Sequence, residues 1–440
     1  MIIYDPSLAL VSQHRHMMLK PERETVAVIG AGVVGCAVAQ ALTAAGRPVV
    51  LLDRAAPATA GASFGNVGHI AAEQVETLPS KRLLLSFWRE LFAFGGALDI
   101  PLRRVIPLLP WLARFVVAAF RQETNSRHLA PLVRNAPDSL ARLLEAIGRR
   151  DLMRRNGHYV VWSGSAAARR AARDAESASR LAIRTAPAPA DLLRSILSMA
   201  RLDPTTSIAG LWYPDNGHVL DPAEVARALA TAAMHRGAIL QCAEVRRLQP
   251  LGDTIEVITD TDRLVFNTAV VCTGAWSAPL LAPFGLYAPV TSERGYHVEL
   301  PDQPPLVDAP ILYANDNIVV TPMAGRLRAS TYLEFASLNA PPDPRKPARL
   351  RARLRTLGYS CAPEGPSWMG PRPTLPDYLP GIGRAPGAAN LFYAIGHQHL
   401  GLTLAAPTSE LIAALVAGRS PRWDISGLDL QRFRTSAAYK

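Results

Sequence analysis

The apolar pattern is most regular between Thr25 and Asp53. A four-residue run, Val26-Ala27-Val28-Ile29, turns through Gly30-Ala31-Gly32-Val33-Val34-Gly35 into a small-residue segment from Cys36 to Ala45. Gly46 closes that segment, and a second run, Val49-Val50-Leu51-Leu52, ends on Asp53. The order predicts strand, glycine turn, helix, helix stop and parallel strand. Gly30 supplies the turn, Gly32 lets backbone approach a pyrophosphate, and Gly35 allows the helix to pack on the strand. The free N–H groups and positive dipole end of the helix suit that pyrophosphate. Asp53, about 20 residues past the glycines, is placed to accept from a ribose. A glycine pattern alone is weak evidence; the full succession predicts a dinucleotide site.

Further on, Arg54 and the small residues Ala55 to Ala62 lead into Ser63-Phe64-Gly65-Asn66-Val67-Gly68-His69, a loop where backbone can crowd a ligand. Leu83 to Phe120 is the most apolar stretch, punctuated by arginines at 89, 103, 104, 114 and 121. Pro101, Pro107 and Pro110 are expected to break it into short helices. Two readings stand: a basic amphipathic surface lying on a membrane, or a helical insertion over the active site with its apolar faces buried. The prolines favour burial, because they interrupt a continuous apolar stripe.

Polar-faced helices are expected over Ala130 to Arg150 and Ala166 to Ala186, around a short strand at His158 to Trp162. Asp221-Pro222-Ala223-Glu224 starts a helix with an N-cap Asp, Pro at the first position and Glu at the third. It runs to about His235, before Gly237. Strands follow at Ile239 to Val245, Thr254 to Thr259, Leu264 to Phe266 and Ala269 to Cys272, the last capped by Thr273-Gly274-Ala275-Trp276-Ser277. Alternation at Gly295 to Val298, Ile311 to Tyr313, Ile318 to Val320 and Leu327 to Ala329 predicts antiparallel strands. The stretch from Pro341 leads into a basic helix, Pro347 to Leu357. Near the end, strand Leu391 to Ile395 runs into Gly396-His397-Gln398-His399-Leu400-Gly401-Leu402-Thr403 and a helix through Leu415. That second strand–glycine–helix unit brings another helix N-terminus, and its dipole, towards a ligand.

Composition narrows this only slightly. The 440 residues suffice for two domains, or one with a large insertion. Cys36, Cys242, Cys272 and Cys361 form no C-x-x-C pair, which argues against a zinc site, an iron–sulfur cluster or a disulfide framework and fits a reducing compartment. No apolar run is expected to span a membrane, and residues 1–24 read as an extension, not a secretion signal. The net charge of +11 would permit nucleic acid or anionic lipid as partners. The arginines are not interleaved with aromatics as a stacking platform needs, so no nucleic-acid partner is expected. The charge is read first as solvated helix faces.

Taken jointly, the glycine turn with Asp53, Ser63-x-x-Asn66-x-Gly68, Asp221-Pro222, Thr273-Gly274-Ala275-Trp276, the Trp368 to Gly383 block and the Gly396 to Thr403 turn resemble the flavin amino-acid oxidase and dehydrogenase family, in particular its bacterial D-amino acid dehydrogenase branch. The resemblance covers Val26 to Gly418. It implies an α/β fold, α+β in the second domain: a Rossmann-like FAD-binding domain of the glutathione-reductase type with an antiparallel-sheet substrate domain. The FAD-binding domain would comprise 25–80, 205–285 and 368–435, and the cap 81–204 and 286–367. It further implies FAD contacts at Gly30, Gly32, Val33, Val34, Gly35, Asp53, Arg54, Ser63, Asn66, Gly68, Val245, Thr273, Gly274, Trp276, Gly401, Leu402 and Thr403. Pro371 stands where sarcosine oxidases carry a flavin-linking cysteine, so the FAD should be noncovalent.

Arg372 aligns with an arginine that binds the substrate carboxylate in glycine oxidase-like members, a task its planar fork suits. His69, Tyr296, Tyr313 and His399 complete the expected substrate contacts, although His69 and His399 read equally well as satisfied histidines. No metal and no general base is expected. The implied reaction is hydride transfer from a D-amino or imino acid to the flavin, electrons passing to a quinone or carrier protein. The His397-x-His399 doublet resembles the D-hydroxyproline branch. The alternative is a flavoprotein subunit of a hetero-oligomeric dehydrogenase, inactive alone, with Leu83 to Phe120 as its partner surface. The expected location is cytoplasmic or peripheral on the inner membrane.

Overall fold

The structure, a computed structural model, describes residues 24–203, 205–301 and 303–434. The expected N-terminal extension therefore lies, Glu24 apart, outside the described residues. Five short apolar runs form a parallel sheet in the order Ile239–Cys242, Val49–Asp53, Val26–Ile29, Thr268–Val271 and Leu391–Ile395, with Gly381–Arg384 antiparallel at the edge. Most of these strands are covered on both faces, which is why they read as continuous apolar runs without alternation. Helices Val33–Ala44, Pro222–His235 and Gly401–Val416 cover one face. The meander Val245–Leu251, Thr254–Thr259, Arg263–Phe266 and the helix Ser277–Leu281 cover the other. Asp221 caps its helix as the sequence predicts, its carboxylate accepting from the Ala223 and Glu224 N–H groups.

The second layer is a long sheet in the order Ser367–Thr374, Thr291–Pro301, Arg326–Phe335, Ile318–Met323, Ile311–Tyr313, His158–Ser163, Ile208–Tyr213 and Ala186–Pro187. Leu98–Asp99 lies parallel beside Arg326–Phe335, and Ile311–Tyr313 parallel beside His158–Ser163; the other pairs are antiparallel.

Several expected boundaries shift. Ile208–Tyr213 and residues 368–374, expected in the nucleotide domain, hydrogen-bond into the long sheet. Gln122–Ala146 falls in the expected cap, yet Leu129, Leu132, Val133, Leu140 and Leu144 pack into the core beneath the nucleotide sheet's helices. Pro107 and Pro110 do not break their segment: Leu102–Ala119 is one helix of 18 residues. Both prolines lie on its exposed side, so the Arg103 and Ile106 carbonyls they leave unbonded face outward, where they can be solvated. Gln398–Val416 is long and apolar enough to cross a membrane, contrary to expectation, but it is mostly buried and serves as a core helix.

Candidate active site

The carboxyl ends of the parallel strands open onto one cavity of about 370 Å³, the position that open α/β sheets give their ligands. Gly30, Gly32, Val33 and Val34 line one part of it and Gly401, Leu402 and Arg372 another. A continuous cleft thus joins the two glycine turns.

At the first turn the conformation needs glycine. Gly30 has φ +105°, and a Cβ there would sit 2.5 Å from the Cys272 carbonyl. A Cβ on Gly35 would collide with the Gly30 carbonyl, so this glycine supports the turn from behind and does not line the cavity. Asp53 accepts from the N–H groups of Ala31 (2.6 Å) and Ala55 (3.0 Å), leaving carboxylate lone pairs for a hydroxyl in the cleft. Arg54 lies over the Trp276 ring at 4.4 Å. Val245, Thr273 and Gly274 complete this end.

The Ser63 to His69 loop crosses the middle. Ser63 Oγ accepts from Val33 N–H (3.0 Å) at the helix start. The long sheet pins the same loop: Arg328 donates to the Asn66 carbonyl (2.5 Å), His297 meets the Gly65 carbonyl (2.9 Å), and the Trp368 ring fills the place of a Gly65 side chain. Gly68 (φ +78°) sits under the Val219 carbonyl, and Thr403 Oγ1 accepts from Ala71 N–H (3.2 Å). These two therefore shape the cleft from behind its wall.

The donor set fits a nucleotide cofactor with a negatively charged middle and a ring at the far end. Two helix N-termini, at Val33–Ala44 and Gly401–Val416, open on one cavity, and neither has an acidic residue in its first turn. At Gly401 a Cβ would meet only His397 Cβ at 3.7 Å, leaving backbone open to the cleft.

Arg372 is held at the far end by strand register. Glu293 pairs with Arg372 and Gly295 with Gly370 across the two strands. The guanidinium lies across Gly295, where any side chain would collide with it. It donates to the Tyr332 carbonyl (3.2 Å) and stands 3.6 Å from Glu293 Oε1, a buried oxygen with no hydrogen-bond partner among the described residues. The other Glu293 oxygen accepts from Tyr378 (2.6 Å) and Thr374 (3.2 Å). Part of the Arg372 charge remains for an anionic group in the cavity.

His399 also lines the cavity, its Nε2 2.7 Å from Gln74 Oε1. Burial, with Arg372 and His69 adding to it, pushes this imidazole down to about 3, so it is neutral near pH 7. The buried His397, 2.9 Å from Thr408 Oγ1, is lowered to about 4.

Three expected substrate contacts are corrected. Tyr296 follows Gly295 in the strand and so points to the opposite face, where its hydroxyl donates to Glu334 (2.7 Å) and accepts from Asp343 N–H (3.0 Å). Tyr313 is buried against Tyr359, hydroxyl to hydroxyl at 2.7 Å. His69 lies behind the wall, 3.3 Å from the Asn216 amide, its ring 4.6 Å from that of His158. Sequence reasoning named the Trp368 block but missed Gly295, Ser330, Trp368 and Gln398 as lining residues. Gln398 adopts φ +48°, a strained conformation for a side-chain-bearing residue. Period-two alternation from Gly295 would have been the signal for choosing it over Tyr296.

Comparison with known proteins agrees with this geometry. Residues 25–415 match the family model described as DAO: FAD dependent oxidoreductase. A D-amino-acid oxidase of Bradyrhizobium diazoefficiens is 30% identical over 429 residues, 94% of this chain and 100% of the relative. A D-amino acid dehydrogenase of Cereibacter sphaeroides is 28% identical, over 93% of this chain and 95% of the relative. Glycine oxidase from Geobacillus kaustophilus shares the fold at TM-score 0.72 and 21% identity, over 94% of this chain and 100% of that one. The cleft, its two glycine turns and the family match over most of the sequence lead to one assignment: this chain is a member of the DAO family of FAD-dependent oxidoreductases.

Proposed function

We propose that the chain oxidises a D-amino or imino acid at the Arg372 end of the cleft and passes the electrons to a quinone or carrier protein. The observation that carries the reading is the guanidinium laid across Gly295, with part of its charge unspent, in the cavity that also meets both helix N-termini. Noncovalently bound FAD supplies the acceptor for a hydride. Arg372 holds the carboxylate and so fixes the α-carbon, which is positioning catalysis. The α C–H bond breaks with its electron pair leaving as hydride, while the nitrogen lone pair closes the C=N bond. The substrate must therefore arrive with a neutral amine. His399, lowered to about 3, is too weak a base to take the ammonium proton near neutral pH, and no side chain is assigned that task. The names of the relatives support amino acids as the substrate class. The His397-x-His399 doublet supports D-hydroxyproline within it.

Anaerobic mixing of the FAD-loaded protein with D-alanine, D-proline and D-hydroxyproline is the test. Bleaching of the flavin near 450 nm (an approximate position for the oxidised cofactor) is expected with at least one of them. No bleaching with any, and recovery on adding a partner subunit, would replace this reading with that of a subunit inactive alone.

A further inference from the structure

The segment from Lys81 to Arg121 carries a surface that no other element among the described residues covers. On helix Leu102–Ala119 the inner face is buried through Leu108, Trp111 and Ala118. Trp111 packs on Phe335 and stacks on Phe115, and its indole N–H meets the Thr374 carbonyl at 3.4 Å. The outer face is Leu102, Ile106, Pro107, Leu109, Pro110, Ala113, Val116, Val117 and, just past the helix, Phe120, all exposed. Leu102 is 90% exposed, Ile106 78% and Phe120 65%. A soluble helix places polar residues there; this one interrupts the stripe only with Arg103. The neighbouring helix Lys81–Glu90 extends the patch, with Leu85 at 83% exposure and Phe87 exposed beside it. Lys81 lies over the Phe120 ring at 5.3 Å and joins the two helices. A contiguous apolar face of this extent marks an interaction site.

Charge selects the occupant. Residues 81–121 hold seven basic and two acidic side chains, which is five of the chain's eleven net positive charges. Among the described residues, none of Lys81, Arg82, Arg103, Arg104, Arg114 and Arg121 forms an ion pair with a carboxylate. A second copy docking through this face would bring two positive patches together. An anionic bilayer takes the apolar residues at its headgroup–acyl boundary and the cations on its phosphates. We infer that this face lies on an anionic lipid surface, the 18-residue helix resting in the membrane plane over about 27 Å at 1.5 Å per residue. The inner side of the same helix touches Thr374, two residues from Arg372, so docking sets the substrate end of the cleft close to the membrane.

Co-sedimentation of the FAD-loaded full chain with vesicles tests this without using turnover, so its failure is separate from failure of the proposed reaction. Binding is expected to phosphatidylcholine vesicles containing about a quarter phosphatidylglycerol, much less to pure phosphatidylcholine, and to weaken with salt. Ile106→Asp/Leu109→Asp should lower binding about tenfold or more while flavin absorbance stays unchanged. Arg103→Gln/Arg121→Gln should reduce the preference for anionic vesicles. Absence of vesicle binding, or binding indifferent to Ile106→Asp/Leu109→Asp, overturns the inference. So does a dimer, measured by light scattering, that the same variant dissolves.

Discussion

The two ends of the cleft are built by different means. At Gly30, Gly32 and Gly401 the lining is backbone at helix starts, specified within a few consecutive residues. At Arg372 it is a side chain held by partners about 40 to 80 positions away: Tyr332, Glu293 and Gly295. On the proposed reading, the first end would hold a cofactor by the absence of side chains, and the second a substrate by the placement of one. Damage at the first should remove the flavin, and damage at the second should leave the flavin and impair substrate use.

The largest effect is expected at the first end. Gly30→Val puts a branched side chain at φ +105°, against the Cys272 carbonyl. Purified protein should retain less than roughly a tenth of the wild-type flavin, read from absorbance per protein. Normal flavin content in this variant would show that the turn is not a cofactor cradle. Next in size, Arg372→Ala should lower kcat/KM by roughly a hundredfold, mostly through KM, because a charge-assisted carboxylate contact is lost. Flavin content should stay intact; its loss instead would move Arg372 to the cofactor's side of the comparison.

Gly295→Ala sharpens the contrast, because it changes no group that bonds the substrate. The added methyl occupies the space of the guanidinium, so Arg372 must shift. A misplacement of this kind should cost about tenfold in kcat/KM with flavin binding unchanged. Unaltered kinetics would show that the position of Arg372 does not depend on the strand beneath it.

This difference also sets what was legible beforehand. The run from Val26 to Asp53 encodes strand, turn, helix and strand in contiguous pattern, and the structure places all of them, with Asp53 in the cleft. The register that sets Glu293 opposite Arg372 is a long-range pairing that local patterning does not contain. Tyr296 and Gly295 differ by one position, enough to change the face of the strand. The Leu83 to Phe120 segment misled for another reason. Proline ordinarily breaks a helix, but a proline on an exposed face leaves its freed carbonyl to the surroundings, and the helix continues. The expectation of burial rests on those prolines interrupting the apolar stripe, yet the stripe is continuous past them and half of this helix faces outward.

The smallest effect concerns acid, and it separates the two ends by titration. Among the described residues, His397 and His399 are the histidines that line the cleft, with Arg372, and His69, His158 and His218 lie behind its wall. Burial lowers His69 and His399 to about 3 and His218 and His397 to about 4, and drives His158 well down. Below the ordinary imidazole value of 6.5 the unfolded chain takes up protons that these groups refuse while folded. Their contribution to stability is therefore complete above 6.5 and is lost as pH falls towards 4 and 3. Glu73 acts in the opposite direction: burial raises it from 4.5 to about 7, so its contribution is present below 4.5 and lost as pH rises to 7. His297 is lowered by burial as well, so six imidazoles outweigh Glu73 and Asp316, the two carboxyls that burial raises, and leave a net loss on acidification; Tm should fall by several degrees, on the order of 5 °C, between pH 7 and pH 5. His399→Gln keeps a donor for Gln74 and removes one titrating ring, so it should make that slope shallower by roughly a fifth. An unchanged slope in His399→Gln would mean that this ring is solvated and can charge freely, and the neutral, base-free substrate end would lose its support.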